Sequence, residues 1–115
     1  MKYFFYSFVY AFKGIYAAFR EQRSLWVEGL AAVAVVIAGF YFNITATEWL
    51  LVVFSIGLVI SLEMINTAIE DLVDLVTSEW KPLAGKIKDV AAGAVLIAGA
   101  AALIVGIIIF WKYFF

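Results

Sequence analysis

The sequence predicts an all-α membrane protein with three transmembrane helices and an N-terminal amphipathic helix that lies in the membrane interface. Of its 115 residues, 67% are apolar, and the mean hydropathy is +1.07. Soluble domains are nearer half apolar. Three apolar runs are each long enough to cross a hydrocarbon core, which takes about 20 helical residues. With no internal repeat or linker in the chain, we expect one domain over residues 1–115.

Residues 1–23 are rich in aromatic side chains, which Lys13, Arg20 and Arg23 interrupt. The aromatic residues are Tyr3, Phe4, Phe5, Tyr6, Phe8, Tyr10, Phe12, Tyr16 and Phe19. No stretch here is both long and uncharged enough to span a bilayer. Aromatic rings mixed with bases are typical of a helix at headgroup level. The alternative is the first core helix of a soluble bundle, which the composition of the remaining chain disfavours.

The apolar runs predict the three transmembrane helices. Their expected ranges are 25–42, 48–76 and 88–112. Thr47, followed by Glu48, is a candidate cap for the second of these helices. A loop at 77–83, which holds the only proline of the chain, follows the second helix, and residues 84–89 lead into the apolar run of the third.

The third predicted span carries small residues at every fourth position: Ala94, Ala98, Ala102 and Gly106. Such spacing puts them on one face of a helix, where small side chains allow another helix to approach closely.

The distribution of basic residues predicts the orientation of the chain. One side of the three spans carries Lys2, Lys13, Arg20, Arg23, Lys81, Lys86 and Lys88, and only Lys112 lies on the other. The positive-inside rule therefore places residues 1–23 and 77–89 in the cytoplasm. With a net charge of −1 the chain has no electrostatic footprint for nucleic acid, which we do not expect as a partner.

Composition also limits the chemistry. The chain has no Cys and no His, which excludes thiolate nucleophiles, the usual zinc sites and any His general base. Carboxylates, lysines and amides remain, and these suit Mg²⁺ and phosphate chemistry.

The second span continues without interruption into an acidic face. Glu63, Asn66, Thr67, Glu70 and Asp74 share one side of a helix at 3.6 residues per turn. In a soluble protein this would be a solvated helix face. At membrane depth a carboxylate costs about 2.5–3.5 kcal/mol on insertion scales, so we expect these groups to have a function.

Two pairs within the predicted site remain open to more than one interpretation. Glu70 and Asp74, one turn apart, could share a divalent cation or could be solvated groups neutralised by Lys81 or Lys86. Lys88 and Asp89 could bind a phosphate with the free amides of a helix start. They could equally be a snorkelling lysine beside a capping aspartate.

Two segments of the chain together resemble one known family. Residues 63–74 follow the pattern E-x-x-N-T-A-I-E-x-x-V-D, and residues 88–95 follow K-D-x-x-A-G-A-V. These patterns resemble the bacterial diacylglycerol kinase / undecaprenol kinase family over essentially the whole chain. The resemblance implies a homotrimer in the bacterial inner membrane that uses Mg²⁺ and ATP to phosphorylate the hydroxyl of a membrane lipid. It also implies an active site that faces the cytoplasm.

The same resemblance implies roles for individual residues. Glu63 would be the general base, supported by Asn66, and Glu70 would be a Mg²⁺ ligand. The nucleotide contacts would be Tyr10, Glu70, Glu79, Lys88 and Asp89.

The chain departs from the family pattern at two places. Where a second metal-binding Glu is expected, this chain has Gln22, and an amide is a poorer Mg²⁺ ligand than a carboxylate. The neighbouring Glu21 could take its place, so we keep both Glu21 and Gln22 as metal candidates. Trp80 and Lys81 stand where the family often has a Tyr-His pair.

Three alternatives to an active kinase stay open: a small transporter or channel with Glu63 as its ion or proton site, a non-catalytic trimeric scaffold, and a catalytically impaired family member. The lipid is either undecaprenol or diacylglycerol. Residues 47–49 and 81–95 favour the undecaprenol branch slightly.

Overall fold

The computed structural model describes residues 1–115 as four helices joined by short connections. They are α1 (Lys2–Glu21), α2 (Arg23–Phe42), α3 (Ala46–Val76) and α4 (Pro82–Phe114). The predicted all-α fold is confirmed. α2, α3 and α4 are long and apolar enough to cross a membrane. The expected location of α1 in the membrane interface stays a prediction.

The turn between α2 and α3 is held by local hydrogen bonds. Asn43 adopts a left-handed conformation (φ 52°, ψ 55°), which Asn tolerates better than most residues. Thr45, and not Thr47 as the sequence suggested, caps α3. Its Oγ1 accepts from the Glu48 N–H at 3.2 Å, and Glu48 Oε1 accepts from the Thr45 N–H at 3.0 Å. Both residues are Thr, but only Thr45 has Glu three positions later to complete a capping box.

The start of α4 also differs from the prediction. The loop covers only 77–81, because Pro82 begins the helix instead of interrupting a loop. Proline suits the first helical position, where its fixed φ is already helical and its missing N–H has no partner to lose. The other two spans begin two residues earlier than predicted.

α3 is the central helix of the chain. It packs most extensively against α4 and also contacts α2, and α1 contacts both α2 and α3. A small core of Ile44, Val52 and Ile109 sits at the end of the bundle near the α2–α3 turn. On the small-residue face of α4, Ala98 is buried whereas Ala94 is exposed.

The side chains that point outward are mostly large and apolar. Only 11 of 115 residues are buried, and Phe40, Phe54 and Leu96 are each at least 70% exposed. That distribution suits lipid or partner helices around the bundle rather than water. With three spanning helices, the chain is a multi-pass membrane protein.

The end of the bundle that holds the α2–α3 turn has its own polar network, which we call the turn-end network. Lys112 Nζ lies 2.8 Å from Glu48 Oε2, and the Tyr113 hydroxyl donates to Glu48 Oε1 at 3.0 Å. These contacts join the start of α3 to the end of α4. All the remaining side-chain contacts between helices that involve a carboxylate lie at the opposite end, which we call the acidic end.

Gly39 provides a test of packing at the turn. A Cβ built on Gly39 would lie 2.7 Å from Cη2 and 2.9 Å from Cζ2 of the Trp49 ring. Gly39→Val should therefore displace the ring, at a cost of about 1–3 kcal/mol for overpacking, and should lower the melting temperature in detergent.

The matched control is Gly57→Ala in α3, where an added Cβ meets nothing within 4 Å. This change should leave the melting temperature unchanged or raise it slightly, since Ala is the better helix former. Equal melting temperatures for Gly39→Val and the unmodified chain would contradict the packing of Trp49 on Gly39.

Candidate functional site

The acidic end brings together the start of α2 and the C-terminal half of α3. Three polar side chains of α3 are more than nine-tenths buried there: Glu63, Asn66 and Thr67. Burying a charged or polar group is costly unless it has partners, so the contacts of these three residues indicate what the site can do.

Glu63 has a partner from another helix. The Ser24 hydroxyl, near the start of α2, donates to Glu63 Oε1 at 3.0 Å. The Thr67 hydroxyl donates to the backbone carbonyl of Glu63 at 3.1 Å. The first contact orients the Glu63 carboxylate across the α2–α3 interface, and the second satisfies a buried hydroxyl within α3.

Asn66 and Glu70 form the next layer of the acidic face. Asn66 Nδ2 donates to Glu70 Oε1, one helical turn further along α3, at 3.3 Å, and not to Glu63, which the resemblance implied it would support. Asn66 Oδ1 is buried and has no hydrogen-bond partner. An oxygen acceptor therefore lies open beside a carboxylate.

Glu21, the last residue of α1, faces the acidic end. Its pKa is raised above the ordinary carboxyl value, first by a hydrogen-bonding interaction with the Asp71 carboxyl, then by desolvation and by repulsion from Asp71 and Glu70. Glu21 thus approaches the acidic face of α3, whereas Gln22 forms the extended residue between α1 and α2. A cation at this place would relieve the repulsion among the three carboxylates.

Lys88 pairs with Asp74 across α3 and α4, with Nζ and Oδ1 2.8 Å apart. The expected phosphate site with free helix amides is wrong in one respect. Since α4 begins at Pro82, the amides of Lys88 and Asp89 lie beyond the first turn and bond within the helix. Asp74 pairs with Lys88 and not with Lys81 or Lys86, the lysines expected to neutralise it, so the Lys88 ammonium is the positive charge at the acidic face.

Three predicted nucleotide contacts lie apart from this cluster in the single chain. Tyr10 is 67% exposed on α1, with Lys13 Nζ 5.9 Å from its ring centroid. Glu79 and Asp89 are exposed, and their side chains form no hydrogen bond or ion pair. A single chain therefore brings together Glu63, Asn66, Glu70, Glu21 and, through Asp74, Lys88, but not the other three.

The donor set suits Mg²⁺ only in part. No three acidic side chains are arranged as a complete metal cage in this chain. Magnesium seldom needs one, because it usually keeps several waters and is bound by one or two carboxylates together with substrate phosphates. Glu70, the unpartnered Asn66 Oδ1 and the crowded Glu21 carboxylate are oxygen groups that fit such a site.

The length of α3 gives the depth of these groups. Glu48, in the turn-end network, pairs with a lysine and a tyrosine, as residues at a membrane interface do. At 1.5 Å per residue, Glu63 lies about 22 Å further along the helix and Asp74 about 39 Å, against a hydrocarbon core of about 30 Å. Glu63 thus lies about 8 Å inside the far edge of the core, and Asp74 lies about 9 Å outside it.

Sequence reasoning missed three members of the site: Ser24, Glu28 and Asp71. Ser24 and Glu28 are four residues apart, so they share a face of α2, and this spacing could have identified them as partners for α3. Asp71 lies outside the acidic face drawn from helical periodicity. Only the approach of α1 gives Asp71 a partner.

Fold and site together define an integral membrane protein with a buried acidic site at one end of its spanning helices. Comparison with known proteins identifies one family over nearly the whole chain. A profile of the family described as prokaryotic diacylglycerol kinase matches residues 9–110.

Individual relatives are similar over most of their length. The undecaprenol kinase of Bacillus subtilis (strain 168) is 44% identical over 107 residues, which are 93% of this chain and 87% of that protein. The diacylglycerol kinase of Escherichia coli (strain K12) is 35% identical over 105 residues, 91% of this chain and 86% of that protein. The chain belongs to the prokaryotic diacylglycerol kinase family, as its motifs indicated, and this is a family of lipid kinases.

The raised pKa of Glu21 makes a prediction about stability. Folded Glu21 binds its proton more tightly than unfolded Glu21, so the folded state loses stability as the pH rises from the ordinary carboxyl range through the raised pKa. Asp71→Asn removes the main cause. It should raise the melting temperature in detergent above that pH window and change it little below, with a chelator present to remove divalent cations. A rise of equal size at every pH would contradict the proposed interaction.

Proposed function

We propose that this protein transfers the γ-phosphoryl group of ATP to the hydroxyl of a membrane lipid at the cytoplasmic membrane surface, giving a lipid phosphate and ADP. The observation that carries the proposal is the buried, Ser24-bound Glu63 carboxylate in a chain of a lipid-kinase family. A lipid hydroxyl lies at the edge of the hydrocarbon core, which the acidic face crosses between Glu63 inside the core and Asp74 outside it.

In the proposed reaction Glu63 is the general base. The lipid hydroxyl gives its proton to the Glu63 carboxylate as its oxygen bonds to the γ-phosphorus, and the bond from that phosphorus to the ADP oxygen breaks. Ser24 keeps the carboxylate oriented towards the incoming hydroxyl. Phosphoryl transfer depends mainly on such positioning and on charge neutralisation.

The charge neutralisation falls to the second half of the acidic face. When bound, Mg²⁺ would offset the negative charge of the phosphates. Glu70, with Glu21 in place of a carboxylate at Gln22, would hold it, and the Asn66 amide keeps Glu70 oriented. The Lys88 ammonium would exchange its ion pair with Asp74 for contact with the phosphates.

The remaining nucleotide contacts imply more than one subunit. Tyr10, Glu79 and Asp89 stand apart from the acidic face of their own chain, so we propose that a homotrimer completes the site with residues of a neighbouring subunit. The exposed apolar surface of the bundle leaves room for such packing. In this arrangement α1 is amphipathic and lies in the cytoplasmic interface, on the side with seven of the eight basic residues.

We propose undecaprenol as the preferred lipid, with diacylglycerol second. The support is the 44% identity to the undecaprenol kinase, compared with 35% to the Escherichia coli diacylglycerol kinase.

Glu63→Gln tests the proposed base. The unmodified chain in detergent with Mg²⁺ should transfer labelled phosphate from ATP to undecaprenol and, less efficiently, to diacylglycerol. Glu63→Gln keeps the shape and the contact with Ser24 but cannot accept the proton, so transfer should fall by about 100-fold or more. Full activity in Glu63→Gln would exclude Glu63 as the base.

The control for this assay uses sealed vesicles that contain the same two proteins. No phosphate transfer by the unmodified chain, together with an ion flux that Glu63→Gln abolishes, would replace the kinase with the transporter alternative.

A second comparison decides which residue of the α1–α2 junction takes part in Mg²⁺ binding. Glu21 approaches Asp71 and Glu70, so Glu21→Gln should raise the Mg²⁺ concentration needed for half-maximal transfer by about 10-fold. Gln22→Ala, the matched neighbour, should change it little. The opposite order would assign the role to Gln22.

A further inference from the structure

Glu28 is a carboxyl group that the proposed reaction does not yet use. It lies on α2, one helical turn after Ser24, and is partly buried. Its Oε2 atom is buried and has no hydrogen-bond partner in the protein. Placing a carboxyl group at membrane depth costs free energy, so we expect Glu28 to have a function.

The geometry of the two helices brings Glu28 to Glu63. α2 and α3 run in opposite directions, and helical side chains tilt towards the N-terminus of their own helix. Glu28 therefore tilts towards the acidic end while Glu63 tilts away from it. Ser24, one turn before Glu28 on the same face of α2, contacts Glu63, so these opposite tilts direct the Glu28 and Glu63 carboxyl groups towards each other.

Glu28 faces an apolar cavity. This cavity, of about 680 Å³, lies between α2, α3 and α4. Glu28 is the one residue with an ionisable side chain among those that line it, and the other polar side chains there are Ser55 and Trp111. Two adjacent carboxylates in such a place repel each other, and the pair avoids this when one proton lies between them.

We propose that Glu28 is a positioning residue for Glu63: its protonated carboxyl donates a hydrogen bond that, with the Ser24 hydroxyl, holds the Glu63 carboxylate in the orientation that accepts the proton of the lipid hydroxyl. The proposal rests on the kinase function given above. In each turnover Glu63 takes the substrate proton and releases it to solvent, and Glu28 keeps its own.

Two substitutions separate the hydrogen bond from the volume of the side chain. Glu28→Gln keeps a donor at the same reach and should keep kcat within about threefold. Glu28→Leu removes the donor at similar size and should lower kcat by roughly 10- to 100-fold, because the base is no longer aligned. The KM for ATP should not change, since Glu28 lies away from the residues assigned to the nucleotide.

Melting temperature distinguishes positioning from a structural role. Glu28→Leu takes one donor from the buried Glu63 carboxylate, but it also removes the desolvation cost of the Glu28 carboxyl group. These two effects oppose each other, so the melting temperature should change little. Ser55→Val, the control in the same cavity, should keep kcat. Full kcat in Glu28→Leu would overturn the proposal. So would a loss of kcat that Glu28→Gln shares, or one that a lower melting temperature accompanies.

Infrared spectroscopy tests the shared proton without any turnover. The unmodified chain at neutral pH should show the carbonyl stretch of a protonated carboxylic acid, which Glu28→Gln should lack. Absence of this band in the unmodified chain would contradict a shared proton, even if the chain is an active kinase. An unmodified chain that shows the band but phosphorylates no lipid would overturn the proposed function and, with it, the catalytic role of Glu28.

Discussion

The structure depends on the cost of placing the Glu63 carboxylate inside an apolar helix bundle. This carboxylate is more than nine-tenths buried, and in a hydrocarbon environment water cannot supply its hydrogen bonds. The protein supplies one of them from Ser24. That contact requires α2 to begin beside the C-terminal half of α3, which in turn brings the last residues of α1 against the acidic face.

The two ends of the bundle meet the same requirement in different ways. At the turn end, Glu48 is bonded to the Thr45 amide, Lys112 and Tyr113, so its charge is compensated within the chain. At the acidic end the groups are only partly satisfied, since the buried Asn66 Oδ1 has no partner. A satisfied network stabilises a fold, whereas open acceptors at membrane depth suit a site that receives a substrate and a cation.

Periodicity and length predicted the helices because both depend only on neighbours along the chain. The acidic face was visible for the same reason, since Glu63, Asn66 and Glu70 share one helix. Contacts between helices could not be predicted in this way. The interaction of Asp71 with Glu21 depends on how α1 packs, and that of Lys88 with Asp74 depends on how α4 packs. The helix ends were also predicted less well than the helices. Thr45 caps α3 instead of Thr47 because it has Glu three positions later, and Pro82 begins α4 because proline suits the first turn of a helix.

The most direct test of the central claim asks on which side of the membrane the acidic end works. Sealed vesicles of defined orientation would be given labelled ATP from outside, and labelled lipid phosphate would be counted. Inverted vesicles, with the cytoplasmic face outward, should form lipid phosphate at once, whereas right-side-out vesicles should form it only after permeabilisation. Equal labelling in intact right-side-out vesicles would contradict a catalytic site at the cytoplasmic end of α3.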